Sequence, residues 1–218
     1  MMKNKLDRQI SIAIDISYQP ACLALSFNRL FDKAIVYENS DIKNGFDLLS
    51  WISNVIKENR IEINDISEWT IGSGPGAFSQ IRMLSVEIQG LTFGRNTSCR
   101  GIPSGMAFAS IIPEKKCRYS VIYQYMKNLP IISNFKKDNF NCSLTDIFAG
   151  RNFENYNFDD SDIIFVCGDY DNKFLIEKKI KIVRNFPISG LLMLNPTFWE
   201  RESLKELIYV RPPAIKRT

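Results

Sequence analysis

A glycine-rich loop is the part of this 218-residue chain that is best suited to chemistry. Gly72, Gly74 and Gly76 surround Pro75 directly after a short apolar run, and a helical pattern begins near Ser79. Because glycine accepts positive φ and proline fixes φ, this spacing predicts a tight turn from a strand into a helix. Ser79 is the expected N-cap. The backbone N–H groups of such a turn would face an anion or an acidic group of a partner.

The absence of histidine excludes several kinds of active site. The chain can form no Ser-His-Asp triad, no Cys-His pair and no metal site with a histidine ligand. Metal binding would have to use carboxylates alone, at Asp159, Asp160 and Asp162 or at Asp169 and Asp171. Acidic residues in loops are far more often solvated turn formers, so no metal ligand and no catalytic residue is predicted.

Composition points to a protein of the cytoplasm. The five cysteines are scattered without a Cys-x-x-Cys pair, which is typical of reduced thiols. The N-terminus has no apolar signal region, and no apolar run approaches the roughly 20 residues that span a bilayer. The net charge of +4 permits contact with RNA without indicating it. A solvated helix face and a frayed terminus are expected for the densest basic clusters, which are Lys178-Lys179 with Lys181 and Arg184, and Lys216-Arg217.

The first half of the chain has an α/β pattern. Apolar extended runs predict strands over 10–17, 21–27, 33–38, 67–73 and 98–103. Helical spacing of apolar residues predicts one helix over 47–58 and another over 79–93. A short apolar helix over 104–112 completes a predicted N-terminal lobe of residues 1–112.

The second half, residues 113–218, predicts a smaller and more degenerate lobe. A hairpin is expected from the runs over 119–126 and 129–135, and a mostly irregular segment over 139–162. A buried strand over 162–167, a helix over 172–179, a strand over 181–186 and a helix over 188–195 follow. The stretch from Pro212 is expected to be extended.

The helix over 79–93 carries two apolar stripes where an ordinary surface helix has one. At about 100° per residue, one stripe contains Ile81, Leu84, Ile88 and Leu91. The other contains Met83, Val86, Gly90 and Phe93. Both sides should therefore be covered. Either the helix is sandwiched within its own domain, or one face lies on the home sheet and the other on another protein.

The loop and helix resemble the signature of the TsaB (YeaZ) family. Residues 72–83 read Gly-Ser-Gly-Pro-Gly-Ala-Phe-Ser-Gln-Ile-Arg-Met, similar to the family's Gly-x-Gly-Pro-Gly-Ser-Phe-Thr-Gly-(Leu/Val)-Arg-(Ile/Val). Three weaker segments fit in the same order: 12–17 with 21–25, 165–169, and 208–211. The resemblance covers nearly the whole chain. It implies the fold of the actin-like ATPase (Hsp70–actin) superfamily, in which two lobes of mixed sheet with flanking helices arise by structural duplication.

The resemblance also implies a function. The family supplies the non-catalytic dimerisation subunit of the bacterial tRNA threonylcarbamoyladenosine machinery. The expected partners are the catalytic subunit TsaD in a heterodimer, the ATPase TsaE, and tRNA through the complex, with a homodimer when the chain is alone. The complex transfers a threonylcarbamoyl group to the adenosine beside the anticodon of tRNAs that read ANN codons.

The expected interface combines the helices over 47–58 and 79–93. Its predicted residues are Leu49, Trp51, Ile52, Val55, Ile56, Arg82, Met83, Val86, Gly90 and Phe93, positioned by the loop of Gly74, Pro75 and Gly76. Arg82 is the polar residue expected to fix register through a carboxylate of the partner.

Two enzymatic alternatives belong to the same superfamily. A small-molecule kinase would bind ATP, with Asp15, Gly168 and Asp169 as the candidate nucleotide residues. Ile16 and Ser17 follow Asp15 where a kinase usually has glycines for the phosphates, which argues against ATP as a cofactor. A peptidase would need a metal or a nucleophile–base pair, and a chain without histidine offers none that is obvious.

Overall fold

The computed structural model of the chain describes residues 9–17, 19–42, 45–126, 129–139, 141–149, 156, 158, 161–167, 180–183 and 185–193. Several expectations fall outside these residues. They are the helix over 172–179, the extended end from Pro212, Gly168 with Asp169, and every member of the predicted basic clusters except Lys181.

The first half of the chain forms a five-stranded mixed sheet in the order β3-β2-β1-β4-β5. Its strands are β1 Ile10–Asp15, β2 Ala21–Phe27, β3 Ile35–Asn39, β4 Ile66–Gly72 and β5 Ser98–Ile102. The first three form an antiparallel meander, while β4 runs parallel to β1 and β5 parallel to β4. All five strands confirm the sequence prediction, because their apolar runs are those of buried strands.

Two long helices pack on one face of this sheet, α1 Gly45–Glu58 and α2 Phe78–Thr92. They contribute Leu48, Ile52, Leu84 and Ile88 to a core that surrounds the fully buried Trp69 of β4. Asp47 in the first turn of α1 and Lys57 in its last turn complement the helix dipole. The sheet and its core thus fix the position of both helices.

The second half of the chain repeats this topology. Its sheet has the order β10-β9-β6-β7-β8. Its strands are β6 Lys116–Met126, β7 Leu129–Asp138, β8 Asn141–Ala149, β9 Ile163–Cys167 and β10 Ile180–Val183. Again three strands form an antiparallel meander, β9 runs parallel to the first of them, and β10 runs parallel to β9. The two sheets therefore have the duplicated arrangement that the actin-like fold implies.

The second half also contains corrections to the prediction. The segment over 139–162, predicted to be mostly irregular, contains a strand that was not predicted, because β8 occupies nine residues of it. As an edge strand, β8 buries only Cys142 fully and lacks the apolar alternation that indicates a strand. The strand predicted over 181–186 is Ile180–Val183, and the helix predicted over 188–195 is seen as the short α3, Gly190–Met193.

The two sheets share a core at their junction. A 3-10 helix, Ser104–Ile111, follows β5 where a short apolar helix was predicted, and α3 packs on it and on β1 and β4. The approach is close, because a Cβ on Gly190 would lie 2.2 Å from the carbonyl oxygen of Ala107. The division at residue 112 stays a prediction, since α3 comes from the second half and contacts the first sheet.

Candidate protein interface on helices α1 and α2

The glycine-rich loop joins β4 to α2 and is held by the start of the 3-10 helix. Gly74 has a φ of 102°, which is the left-handed region that favours glycine. Its N–H donates to Ser104 Oγ at 3.3 Å, and its carbonyl accepts from Ser104 N at 2.8 Å. A Cβ on Gly76 would lie 2.9 Å from Ser17 Cα. The loop therefore sets the direction of α2 through close backbone contacts.

Two expectations about this loop need correction. Ser79 is not the N-cap, because α2 begins at Phe78 and its N-cap is Ala77, which makes no side-chain capping bond. The loop N–H groups of Ser73 and Gly74 are also not directed at an anion, because they donate to Ile102 O and Ser104 Oγ. These two N–H groups support the loop before α2 and do not face an anion.

The two stripes of α2 have different surroundings. Ile81, Leu84 and Ile88 are fully buried against the sheet. In contrast, Val86 is 58% exposed and Phe93 is 86% exposed. Large exposed apolar side chains about two turns apart on one side of a helix contribute to a patch of the kind that marks interaction sites. Within the described residues, α2 is therefore not sandwiched inside its own domain, which was one of the two alternatives.

The N-terminus of α1 extends this patch. A Cβ on Gly45 would lie 2.5 Å from Glu87 Oε1 and 3.6 Å from Met83 Cγ, so α1 begins against α2. Phe46, the next residue, is 79% exposed. Leu49 lies one turn after Gly45 on the same side of α1. We define the α1–α2 surface by its apolar members and Gly90: Phe46, Leu49, Met83, Val86, Gly90 and Phe93.

The α1–α2 surface differs from the predicted interface in the residues that α1 contributes. Ile52, Val55 and Ile56 are at most 8% exposed and belong to the core under α1, so a partner cannot reach them. Trp51 is half-buried against the same core, about 120° round the helix from Gly45. Phe46 was not predicted to belong to the interface. Its position as an apolar residue outside the buried stripe of α1 was a signal of exposure in the sequence. Arg82 is exposed beside the surface.

Gly90 has no neighbour that requires a glycine. It lies inside α2, and a Cβ there would have nothing within 4 Å. Glycine in a helix interior costs about 1 kcal/mol relative to alanine. We therefore expect Gly90→Ala to stabilise the monomeric chain, studied at a concentration below that of dimer formation, by about 0.5–1 kcal/mol, or roughly 1–4 °C in melting temperature for this size. Differential scanning calorimetry measures this.

Gly94 provides the matched control for that substitution. A Cβ at Gly94 also has nothing within 4 Å, but its φ is +70°. Gly94→Ala should lower the melting temperature, because the left-handed conformation costs a non-glycine residue roughly 1 kcal/mol or more. Destabilisation by Gly90→Ala as well would show that Gly90 serves the fold of the single chain.

The candidate nucleotide residue Asp15 is embedded in the protein. It ends β1 and is 1% exposed, and its Oδ1 accepts from Ser17 N at 2.7 Å. A Cβ on Gly72 would lie 1.9 Å from Asp15 Oδ2, so glycine is needed there for the carboxylate to fit. A carboxylate that holds a nucleotide-bound cation must reach that cation. The surroundings of Asp15 do not fit this role, and Gly168 and Asp169 lie outside the described residues.

Burial changes the pKa of the Asp15 carboxyl group. Burial raises the pKa of Asp15 above its ordinary value of 3.8, against hydrogen bonds from Ser104 and Ser17 that lower it. Nearby Cys22 and Cys167 have pKa values raised by burial to about 12, and burial also raises the pKa of Tyr123 well above its ordinary value. These neighbours stay neutral at acidic and neutral pH, so Asp15 is the group that titrates at this position.

The raised pKa gives a pH-dependent stability. Above about pH 4 the unfolded chain loses the Asp15 proton while the folded chain keeps it, so stability falls as pH rises to the folded-state pKa. We expect Asp15→Asn to remove this fall and to increase the free energy of unfolding at pH 7. Urea denaturation of both proteins between pH 4 and 7 checks this. A constant difference between them across that range would contradict it.

The thiols are poor nucleophiles. All five cysteines are free, and burial raises the pKa of Cys99 to about 12 and that of Cys142 to about 11. A thiolate is the reactive form of cysteine, so little of it exists at neutral pH. Across the described residues, no group of three or more acidic or cysteine side chains is arranged to hold a metal ion. No helix there is long and apolar enough to cross a membrane.

Known proteins match this chain in structure but not in sequence. No protein-family model matches the chain, and no curated protein does. Solved structures do resemble it. YeaZ from Pseudomonas aeruginosa has a TM-score of 0.70 at 15% identity, covering 94% of this chain and 100% of that one. An uncharacterised protein with similarity to peptidase YeaZ from the same organism has a TM-score of 0.67 at 15% identity, covering 93% and 100%.

A more distant structure shows the same arrangement. The ethanolamine utilization protein EutJ from Carboxydothermus hydrogenoformans has a TM-score of 0.52 at 12% identity, covering 87% of this chain and 92% of that one. At these identities the likeness concerns the fold. The chain therefore has the duplicated α/β fold of YeaZ and the actin-like ATPases, as the resemblance in its sequence predicted.

Proposed function

We propose that this protein is a TsaB-type subunit: a non-catalytic scaffold that binds a TsaD-type catalytic subunit and supports threonylcarbamoyl transfer to tRNA. The observation that carries the proposal is the α1–α2 surface. Val86 on α2 and Phe93 at its C-cap are more than half exposed, whereas Ile81, Leu84 and Ile88 on the opposite face of the helix are fully buried. The YeaZ fold and the Gly-Pro-Gly signature that positions this helix support the assignment to the family.

The physical character of the surface favours a protein partner with two helices. Phe46 and Phe93 offer aromatic area of the kind enriched at interface centres. Gly90 lies between Val86 and Phe93 on α2 and lets a partner helix approach the backbone. Two helices from each subunit would form a four-helix contact. A stable contact of this kind buries about 800 Å² per side.

The same surface explains the proposed homodimer. In the absence of the catalytic subunit, two copies would pair through their α1–α2 surfaces, because apolar patches of this kind favour burial. Such pairing is isologous, so each copy uses the same residues. Heterodimer formation would then compete with the homodimer for one surface. A TsaE-type ATPase would join the heterodimer.

The kinase alternative receives no support from the described residues. Asp15 is buried against Gly72, and its Oδ1 is occupied by Ser17 N. The raised pKa values of the thiols likewise give no support to a cysteine nucleophile for the peptidase alternative. A role through contact with other subunits accounts for the conspicuous exposed surface, whereas neither enzymatic alternative does.

Reconstitution tests the proposal. The TsaD-type and TsaE-type subunits of the same genome are mixed with the threonylcarbamoyl donor and unmodified tRNA, with and without this chain. We expect modified tRNA only when the chain is present, and none from the chain alone. An unchanged yield of modified tRNA without the chain would contradict the scaffold role. Turnover of the donor by the chain alone would contradict its non-catalytic character.

A further inference from the structure

A cavity of about 360 Å³ lies between the end of the 3-10 helix, α3 and the inner face of β7 and β8. Its walls are mostly apolar, and a few polar groups converge on it. Clefts of this character, with volumes of roughly 300–1,000 Å³, are typical of sites for small molecules. The lining includes Ala109 and Ser110 of the 3-10 helix, Lys137 and Cys142 of the sheet, and Gly190 and Met193 of α3.

Lys137 is a cation on the inner face of the sheet. Because side chains alternate along a strand, it shares this face of β7 with the buried Phe135, whereas the exposed Lys136 lies on the outer face. The register places Lys137 directly between Cys117 of β6 and Cys142 of β8, which are both buried. A half-buried ammonium in such apolar surroundings needs partners for its hydrogen bonds.

The ammonium of Lys137 is held in place but its charge is not cancelled. Nζ donates to the carbonyl oxygens of Ala109 and Ile112 at 2.9 and 2.5 Å. An ammonium carries three N–H donors, so one remains for a group inside the cavity. Among the described residues, no carboxylate lines the cavity or forms an ion pair with Lys137. The cavity therefore offers a positioned positive charge.

The surroundings of this charge favour a ligand with a single negative charge. Ala109 and Ile112 lie at the C-terminal end of the 3-10 helix, where the backbone presents carbonyl oxygens. A phosphate dianion is better served by the N–H groups of a helix N-terminus or by arginine. The described lining has no arginine, and its second cation is the exposed Lys115. A carboxylate needs fewer donors and suits this arrangement.

The other walls suit an apolar body attached to that carboxylate. Ala109, Pro113 and Met193 contribute carbon and sulfur surface. Met193 is 50% exposed, and a flexible thioether adapts to ligands of irregular shape. Cys142 forms part of the wall and is not a free nucleophile, because its Sγ lies 3.0 Å from Tyr119 Oη in a buried hydrogen bond.

The cavity is separate from the α1–α2 surface and from Asp15. The 3-10 helix shares a core with Ala13 on one face of the first sheet, whereas α1 and α2 pack with Ile12 on the other face. Along β6, Tyr123 interacts electrostatically with Asp15, and Cys117, which pairs with the lysine, lies about 20 Å from Tyr123. A ligand in the cavity would thus contact neither of these places.

We propose that this cavity binds a small monocarboxylate with an apolar body, such as a medium-chain fatty acid. The carboxylate accepts from Lys137 Nζ, and the apolar body lies against Met193 and the end of the 3-10 helix. A charge-assisted hydrogen bond of this kind fixes the orientation of the ligand. The proposal is independent of the scaffold function.

The first test compares octanoate with octylamine and octanol, which have the same apolar chain. Each is titrated into the natural chain by isothermal titration calorimetry. We expect saturable one-to-one binding of octanoate and about tenfold weaker binding of the other two, because neither brings a negative charge to Lys137. At ten times its Kd, octanoate should raise the melting temperature by about 3–5 °C. Absence of saturable octanoate binding, or equal affinity for octylamine, would overturn the proposal.

The second test removes the charge on Lys137. Lys137→Met keeps an unbranched apolar stem, and we expect it to weaken octanoate binding about tenfold. Lys137→Arg keeps the charge and should retain most of the affinity. The matched control is Lys136→Met, the same substitution on the outer face of the same strand, which should bind octanoate like the natural chain. Equal affinities for Lys137→Met and Lys136→Met would contradict the proposal.

Ser110→Leu tests the cavity while Lys137 stays in place. Ser110 is half-buried in the lining, and its Oγ donates to Ala107 O at 2.7 Å. A leucine there would fill part of the cavity, so octanoate binding should weaken about tenfold or more. Circular dichroism checks that the fold is retained. Undiminished binding by this variant would place octanoate elsewhere on the protein and refute the assignment. No TsaD-type subunit is present in these measurements, so their outcome leaves the scaffold role untouched.

Discussion

Val86→Glu is expected to weaken association with the TsaD-type subunit by about 100-fold, equivalent to roughly 2.7 kcal/mol. Val86 is 58% exposed in the single chain, so a glutamate there is hydrated and the fold is retained. In the complex the same carboxylate would be buried among apolar side chains without a partner. Isothermal titration calorimetry measures the affinity, and the circular dichroism spectrum of the chain alone reports the fold.

Val36→Glu is the control for this change. Val36 is 46% exposed on the edge strand β3, outside α1 and α2, so the same substitution adds the same charge away from the α1–α2 surface. Its affinity for the catalytic subunit should be that of the natural chain. Equal affinities for the Val86→Glu and natural proteins would show that α2 is not part of the interface.

Gly72→Ala is expected to destabilise the fold by about 2–3 kcal/mol. The added Cβ would lie 1.9 Å from Asp15 Oδ2 and 2.2 Å from its Cγ, so the buried carboxyl group has to move. Movement breaks the hydrogen bond that Ser17 N donates to Oδ1. Chemical denaturation measures the loss.

The double variant Gly72→Ala/Asp15→Ala tests this mechanism. Removing the carboxyl group leaves room for the new Cβ, so the double variant should recover most of the stability lost by Gly72→Ala. If the double variant instead loses as much stability as the two single variants added together, Gly72 is required for another reason. Recovery would support a packed carboxyl group at Asp15, in contrast to the open carboxylate that a kinase needs.

The sequence predicted the first sheet and the two faces of α2 because local patterns determine them. Buried strands such as β1 and β4 are apolar runs, and the second stripe of α2, with Val86 and Phe93, was visible in helical spacing alone. Which stripe a neighbour covers is not local information. Ile52 and Val55 were therefore assigned to the interface although the sheet buries them, and the exposed Phe46 was missed.

Features formed by strand pairing were out of reach for the same reason. The polar edge strand β8 is recognised by its hydrogen bonds to β7 and not by its composition. The burial of Asp15 depends on Gly72 in a strand more than fifty residues later.

The central claim is that α1 and α2 bind a catalytic subunit, and light scattering coupled to size-exclusion chromatography tests it most directly. The natural chain is run alone, then mixed in equal amounts with the TsaD-type subunit of the same genome. We expect the mass of a homodimer for the chain alone and that of a one-to-one heterodimer for the mixture. A chain that elutes as a monomer in both runs, separate from the catalytic subunit, would contradict the scaffold function.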